Sequence, residues 1–177
     1  GWRAGRGDWS AGGAVGGVPG YPGLQVCGRR DIAMSPDEAY DCIRYQIGAL
    51  QAFCDAAGAR MHHVKPHGQL YNRAAVDPEL ARAVAAAVHD ANLDLVLVGL
   101  ANSELIRAGQ AEGIRTAQEF SAARHYPAQR LLVSRHLPAA LITDAASAVA
   151  RAGTAETAGT LDTASGTTTP LKPEPNC

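Results

Sequence analysis

The sequence predicts an α/β fold with parallel strands, and three observations predict it. Segments with helical spacing of apolar residues alternate with short apolar runs along most of the chain. Two of the helical segments open on a cap residue followed by proline, Ser35-Pro36 and Asp77-Pro78. The run Leu95-Val96-Leu97-Val98-Gly99-Leu100 is continuously apolar, as expected of a strand covered on both faces.

Size and composition bound the reading. The 177 residues suffice for one domain with its own core. Hydrophobic residues make up 46% but aromatics only 5%, so the core must be built from Ala, Leu, Val and Ile. The net charge of −1, from 16 basic and 17 acidic residues, gives no footprint for nucleic acid or an anionic membrane. No apolar run approaches the roughly 20 residues of a membrane span, and no signal peptide is visible. Cys27, Cys42, Cys54 and Cys177 lack CxxC spacing, so reduced thiols in a cytoplasmic protein are expected rather than a zinc cluster or disulfide framework.

In chain order, residues 1–17 are Gly-rich and read as a disordered N-terminus, because ordering glycine costs much backbone entropy for little burial. Gly12-Gly13-Ala14-Val15-Gly16-Gly17 does not read as a phosphate loop, since no strand precedes it and no GK[ST] follows. A domain is expected over residues 18–150. Pro19-Gly20-Tyr21-Pro22-Gly23 is a turn by composition. Ser35, Pro36, Asp37 and Glu38 then form a helix start with capping-box spacing. Tyr40, Ile43, Ile47, Leu50 and Cys54 follow at three- and four-residue steps as one apolar face, and Gly58 can end the helix.

Met61 to Lys65 reads as a short strand that runs into a break at Pro66-His67-Gly68. A second helix begins at Asp77-Pro78-Glu79, buries Leu80, Val84, Ala87 and Val88, and ends near Asn92 and Asp94. After the Leu95–Leu100 strand, a third helix runs through Leu105, Ile106 and Ala108 to about Gly113, and Ile114–Ala117 can form another strand. Leu131-Leu132-Val133 reads as a further strand, and Ala140–Asp144 as the opening of a last helix. Residues 151–177 are Thr, Ala, Gly, Ser and Pro in the main and read as a disordered tail.

The chemistry concentrates in His62-His63-Val64-Lys65-Pro66-His67-Gly68-Gln69-Leu70-Tyr71-Asn72. Titratable residues clustered at a break between regular elements suit a site on the rim of a scaffold. Neutral imidazoles can serve as bases near physiological pH. The proline and glycine forbid reading His63 and His67 as a helical metal pair. Lys65 can orient an anionic group or simply be an exposed charge. Tyr71 and Asn72 can hydrogen-bond a ligand or cap the next helix. Arg29 and Arg30 can bind an anion or be solvated, with Asp31 pairing with one of them.

The stretch from His63 to Asn72 resembles the HVKPHGALYN pattern of the LamB/YcsF family, with Gln69 in place of Ala. Pro19-Gly20-Tyr21-Pro22-Gly23-Leu24-Gln25 and Gly28-Arg29-Arg30 resemble the family's HPGYPDLQGFGRR, and Tyr45-Gln46-Ile47-Gly48-Ala49-Leu50 resembles its YQIGAL. Leu97–Ala101 and Leu132-Val133-Ser134-Arg135 resemble later segments, so the likeness covers about residues 18–144. It implies a distorted (β/α) barrel of the glycoside hydrolase/deacetylase type, here partial. It also implies the reaction of ATP-dependent 5-oxoprolinase, in which 5-oxoproline is opened to L-glutamate with ATP hydrolysis. In that enzyme the family supplies the A component, which works alongside subunits B and C. On the matched positions the resemblance implies His63, Lys65 and His67 as catalytic residues. Tyr71, Asn72, Arg29 and Arg30 are then substrate-binding residues, and metal dependence is left unassigned.

The sequence also departs from the family pattern. The family's DLNCDxGE and CGFHAGD segments are missing, Val18 and Gly23 replace its His and Asp, and Ser121-Ala122-Ala123-Arg124 replaces FADR. These departures predict a truncated, partly degenerate member, inactive or weakly active alone. The alternatives are a non-catalytic module that binds partner subunits and a metal-dependent deacetylase-like hydrolase.

Overall fold

The computed structural model describes residues 13–23, 28–121, 141–158, 160–162 and 168–170. These fall into two compact units. The first takes the described residues up to Gly99 together with Glu104–Gln118. The second takes Leu100–Ser103 and the described residues from Glu119 onward.

The first unit carries a four-stranded sheet in the order β1 (Val15–Gly17), β2 (Met61–Val64), β3 (Val96–Leu100), β4 (Arg115–Glu119), the last two strands reaching one residue into the second unit. Strands β1 with β2 and β2 with β3 pair in parallel, as the α/β reading requires. The connections are helices: α1 (Pro36–Ala56), α2 (Gly68–Ala74), α3 (Pro78–Ala91) and α4 (Glu104–Ala111).

Local chemistry accounts for their ends. The Ser35 hydroxyl accepts from the Glu38 amide at 3.2 Å while the Glu38 carboxylate accepts from the Ser35 amide at 2.8 Å, a complete capping box. Gly58, at φ +64°, follows the C-cap Ala57. The Asp77 carboxylate accepts from the amides of Glu79 and Leu80, both at 3.1 Å, ahead of Pro78 at the start of α3.

The core of this unit lies where α1 packs on α3, with α3 also packed on α2 and α4. Ile43, Ile47 and Cys54 from α1 join Val84 and Val88 from α3, Leu70 from α2, Leu105 from α4 and Leu97 and Val64 from the sheet. A Tyr40 hydroxyl to Asp90 carboxylate bond of 2.7 Å ties α1 to α3 at the surface. In β3, Leu97 and Gly99 are buried but Val96 and Val98 only half so. The expectation of full cover on both faces is therefore corrected. The odd-numbered residues lie under α4, where added carbon on Gly99 would sit 3.1 Å from Leu105, and the opposite face is less covered.

Two other expectations change. Disorder is expected of the Gly-rich segment up to residue 17, yet Val15–Gly17 is strand β1, with Lys65 donating its amide to the Gly17 carbonyl at 2.9 Å. The glycines suit this strand because a neighbouring side chain lies where their own would be, as described below. A structureless tail is expected from residue 151, but that boundary falls inside α5 (Ala145–Ala158). Strands β5 (Thr160–Asp162) and β6 (Thr168–Pro170) then pair antiparallel. Alanine is the best helix former, and the Asp144 carboxylate caps α5 by accepting from the Ser147 amide at 2.8 Å. The strand expected at Leu131–Val133 lies outside the described residues.

Two helical glycines give opposite tests. Gly48 on α1 has open space where a Cβ would be, whereas a Cβ on Gly109 of α4 would come within 2.8 Å of Thr116 Cγ2 and 2.9 Å of Leu97 Cδ2. Gly48→Ala is expected to stabilise by about 0.5–1 kcal/mol through reduced backbone entropy of the unfolded chain. Gly109→Ala is expected to destabilise by about 1 kcal/mol or more, because stiff Thr116 and fully buried Leu97 have little room to give. Urea unfolding of the two variants beside the wild type checks both signs.

Candidate functional site

The turn Lys65-Pro66-His67-Gly68 leaves the carboxyl end of β2 and enters α2. Its backbone is held at every second residue. The amides of Lys65, His67 and Gln69 donate to the carbonyls of Gly17 at 2.9 Å, Pro19 at 2.8 Å and Gly28 at 2.9 Å. The alternation continues the pairing habit of a strand past its end. Pro66, which has no amide to give, is fully buried between two of these bonds. Two neighbouring segments, residues 17–21 and 28–30, thus meet the distant residues 65–69 here.

Gly68 makes the closest approach. It has φ +64°, and a Cβ there would lie 2.8 Å from the Gly28 carbonyl carbon and nearer still to its oxygen. Backbone cannot yield as a side-chain tip can, so glycine is required. This approach brings the Gly28-Arg29-Arg30 segment against the start of α2, while the side chains of Arg29 and Arg30 remain exposed. The structure therefore places both arginines beside the turn.

His63, on β2, is half-buried. Its imidazole occupies the space that a side chain on Gly16 would fill: a Cβ there would stand 2.7 Å from Cδ2 and closer to the far edge of the ring. His62 is exposed but not a bystander. Its Nδ1 lies 3.3 Å from Nδ1 of His63, with the rings 5.5 Å apart and edge to face. One ring must donate and the other accept, which two charged rings could not do. Burial holds the His63 imidazolium pKa below the ordinary histidine value, and the neighbouring His62 and Lys65 push the same way.

The Lys65 ammonium stands 5.9 Å from the centroid of the Tyr71 ring, within reach of a cation–π attraction. Tyr71 itself is buried on α2, and Asn72 is exposed on the same helix, its amide 3.4 Å from the Gln69 side-chain oxygen. Both lie inside α2 and so do not cap it. His67 is the N-cap residue by position, but its side chain does not bond the helix.

Sequence reasoning missed some participants. Gln46 on α1 bonds both backbone groups of Gly20, accepting from its amide at 3.1 Å and donating to its carbonyl at 2.8 Å. A polar residue beside Ile43 and Ile47 on the helix face was the available signal. Arg73 lies 3.6 Å from Asp31 and 3.5 Å from Asp77, so the partner expected for Asp31 among Arg29 and Arg30 is corrected to Arg73. Tyr21 is only 4% exposed, and its hydroxyl has no hydrogen-bond partner among the described residues. Burial raises its phenol pKa, against the opposing pull of the Arg73 cation.

The model of the LamB/YcsF family matches residues 9–177. The chain belongs to the LamB/YcsF family. It is 52% identical over 138 residues to the 5-oxoprolinase A subunit of Shouchella clausii, covering 78% of this chain and 54% of that one. It is 46% identical over 164 residues to the 5-oxoprolinase A subunit of Bordetella pertussis, covering 93% of this chain and 65% of that one. The crystal structure of the lactam utilization protein from Thermus thermophilus matches with TM-score 0.87 and 38% identity, over 97% of this chain and 69% of that one. The chain thus spans about half the length of the Shouchella relative. Its parallel sheet and helices are a partial (β/α) barrel of the LamB/YcsF fold. No group of three or more His, Cys, Asp or Glu placed to hold a metal ion occurs among the described residues. No helix there is long and apolar enough to cross a membrane.

The seat of His63 on Gly16 gives a titration test. In the wild type, His63 is expected to titrate below an ordinary histidine, and Gly16→Ala should expel the ring and return its pKa toward the ordinary value. NMR titration of the imidazole protons reads both. The sign for stability follows from the lowered folded-state pKa. Between that value and the unfolded one, the unfolded chain binds more protons. The contribution of His63 is therefore complete above about pH 7 and declines as pH falls through the histidine range.

Proposed function

We propose that this chain is the lactam-handling part of an ATP-dependent, cytoplasmic 5-oxoprolinase that opens 5-oxoproline to L-glutamate, with low turnover by itself. The observation that carries the reading is the clamped turn. It presents Lys65 and His67 at the carboxyl end of β2, the end at which open and closed α/β sheets hold their sites. The names of the two relatives support the substrate class.

The chemistry suits such a turn. A five-membered lactam is a stable amide, so its opening benefits from activation of the carbonyl oxygen. ATP enters as co-substrate and supplies the phosphoryl group for that oxygen. ADP leaves as the phosphoryl group is transferred. Water then adds to the ring carbon, the C–N bond breaks to free the ring nitrogen as the amine, and a second water cleaves the remaining acyl phosphate to give glutamate and inorganic phosphate. Lys65 supplies a cation for the charge that develops on oxygen. His67 takes the proton from the attacking water. His63, kept neutral by its surroundings, is a second imidazole on the same stretch. Arg29 and Arg30 add cationic side chains for the carboxylate or phosphate of the substrates, and Tyr71 steadies Lys65. Asn72 is assigned to substrate at the exposed side of α2. Subunits B and C are the proposed partners. A metal-dependent hydrolase has no donor set behind it among the described residues.

Mixed with subunits B and C, the purified chain is expected to release glutamate from 5-oxoproline only when ATP is present, and well below the rate of a full-length relative. Lys65→Met and His67→Asn should each lower that release by about 100-fold. A rate equal to the relative's sinks the low-turnover part, and unchanged rates in both variants sink the residue assignment. Where release is too slow to follow, 5-oxoproline-induced shifts of the His67 ring signals test binding directly.

A further inference from the structure

We propose that Gln46 is a positioning residue for His67, acting through the Pro19–Tyr21 loop. The catalytic meaning of this inference rests on the 5-oxoproline reading, but the geometry stands without it. The Gln46 side-chain amide bonds the amide and the carbonyl of one residue, Gly20, at 3.1 and 2.8 Å, as a neighbouring strand would. The residue before it, Pro19, accepts the His67 amide through its carbonyl at 2.8 Å. Gly20 itself faces His67, since a Cβ on it would lie 3.5 Å from the His67 carbonyl oxygen and 3.7 Å from the His67 Cβ. Two hydrogen-bonded contacts, joined by the Pro19–Gly20 peptide link, thus connect the amide of Gln46 to the backbone of His67.

The amide's orientation is settled by its other partners. Nε2 also approaches the Cys42 carbonyl at 3.3 Å and the Cys42 Sγ at 3.2 Å, both acceptors one turn back on α1. Flipping the amide would set its oxygen against two carbonyls and its NH2 against the Gly20 amide. The site therefore needs one donor edge and one acceptor edge at this length of side chain. An ionised glutamate offers two acceptors and repels the Gly20 carbonyl. A protonated glutamic acid restores one donor and one acceptor.

That difference makes the test. Amide hydrogen exchange is followed by NMR on the full chain in wild type, Gln46→Glu and Gln46→Leu, between about pH 4 and pH 7. The Ala81 amide in α3, bonded to the Asp77 carbonyl, serves as the fold reference. Cys42 touches the Gln46 amide and His67 lies further along the same hydrogen-bonded chain, and both are titratable, so each variant is compared with wild type at the same pH. Near pH 7, Gln46→Glu is expected to speed exchange at the His67 amide about tenfold, the loss of one net hydrogen bond, with Ala81 unchanged. Near pH 4 the ratio should return toward one. Gln46→Leu should exchange faster at both ends.

Wild-type protection of His67 in Gln46→Glu near pH 7, an acceleration that does not reverse with acid, or an equal loss at Ala81 each overturns the proposal. If Gln46→Leu fails to fold, the acid reversal in Gln46→Glu decides alone. The readout needs no turnover, so a failed lactam assay and a failed positioning role are told apart.

Discussion

Three main-chain hydrogen bonds, from the amides of Lys65, His67 and Gln69 to the carbonyls of Gly17, Pro19 and Gly28, hold the candidate site in place. Each alone is worth about 1 kcal/mol net, a modest sum. Their value lies in geometry. A turn that contains a proline and a positive-φ glycine has no secondary structure of its own to keep it still. By joining β1, the Pro19–Tyr21 loop and the Gly28–Arg30 segment to the end of β2, the bonds make a single backbone platform from four pieces of chain. The side chains of Lys65 and His67 inherit its rigidity.

The platform tolerates little added bulk. Gly68 is confined by the Gly28 carbonyl, which is main chain, while Gly16 is confined by the His63 ring, which is a side chain. The two constraints differ in kind. At Gly68 a larger residue must move backbone and with it the Gln69 bond. At Gly16 it displaces one imidazole and leaves the strand pairing to absorb the rest. The glycine content of the first strand, which by itself argues against ordered structure, is therefore the price of seating a histidine on it.

Much of the fold was legible because local signals agreed with one another. Ser35 and Asp77 announced their helices with caps, prolines and apolar spacing all pointing to the same start. The strand Val96–Leu100 was visible as an apolar run, although Val96 and Val98 are only half-buried. Strand β1 was not legible, because its stability comes from partners on β2 rather than from its own residues. The last helix was expected to open over Ala140–Asp144, and α5 does start after Asp144, but its low-complexity composition hid its extent, and the β5–β6 strands depend on each other. In the site, the His63–Asn72 stretch was evident as a cluster and as a family pattern. The roles of Gln46 and Arg73 were not, since both are defined by contacts with Gly20 and Asp31, which no periodicity reports.

The α1–α3 contact and the clamped turn both close loops of roughly forty to fifty residues, so sequence separation does not tell them apart. What differs is burial: α1 and α3 share apolar side chains in the core, while the turn is held to its partners by main-chain hydrogen bonds. The turn is therefore the weaker of the two and the first to open. A fluctuation that parts β1 from β2 would disconnect Lys65 from Gly17 while the helical core stayed intact, so the lifetime of the competent turn is set by the edge of the sheet.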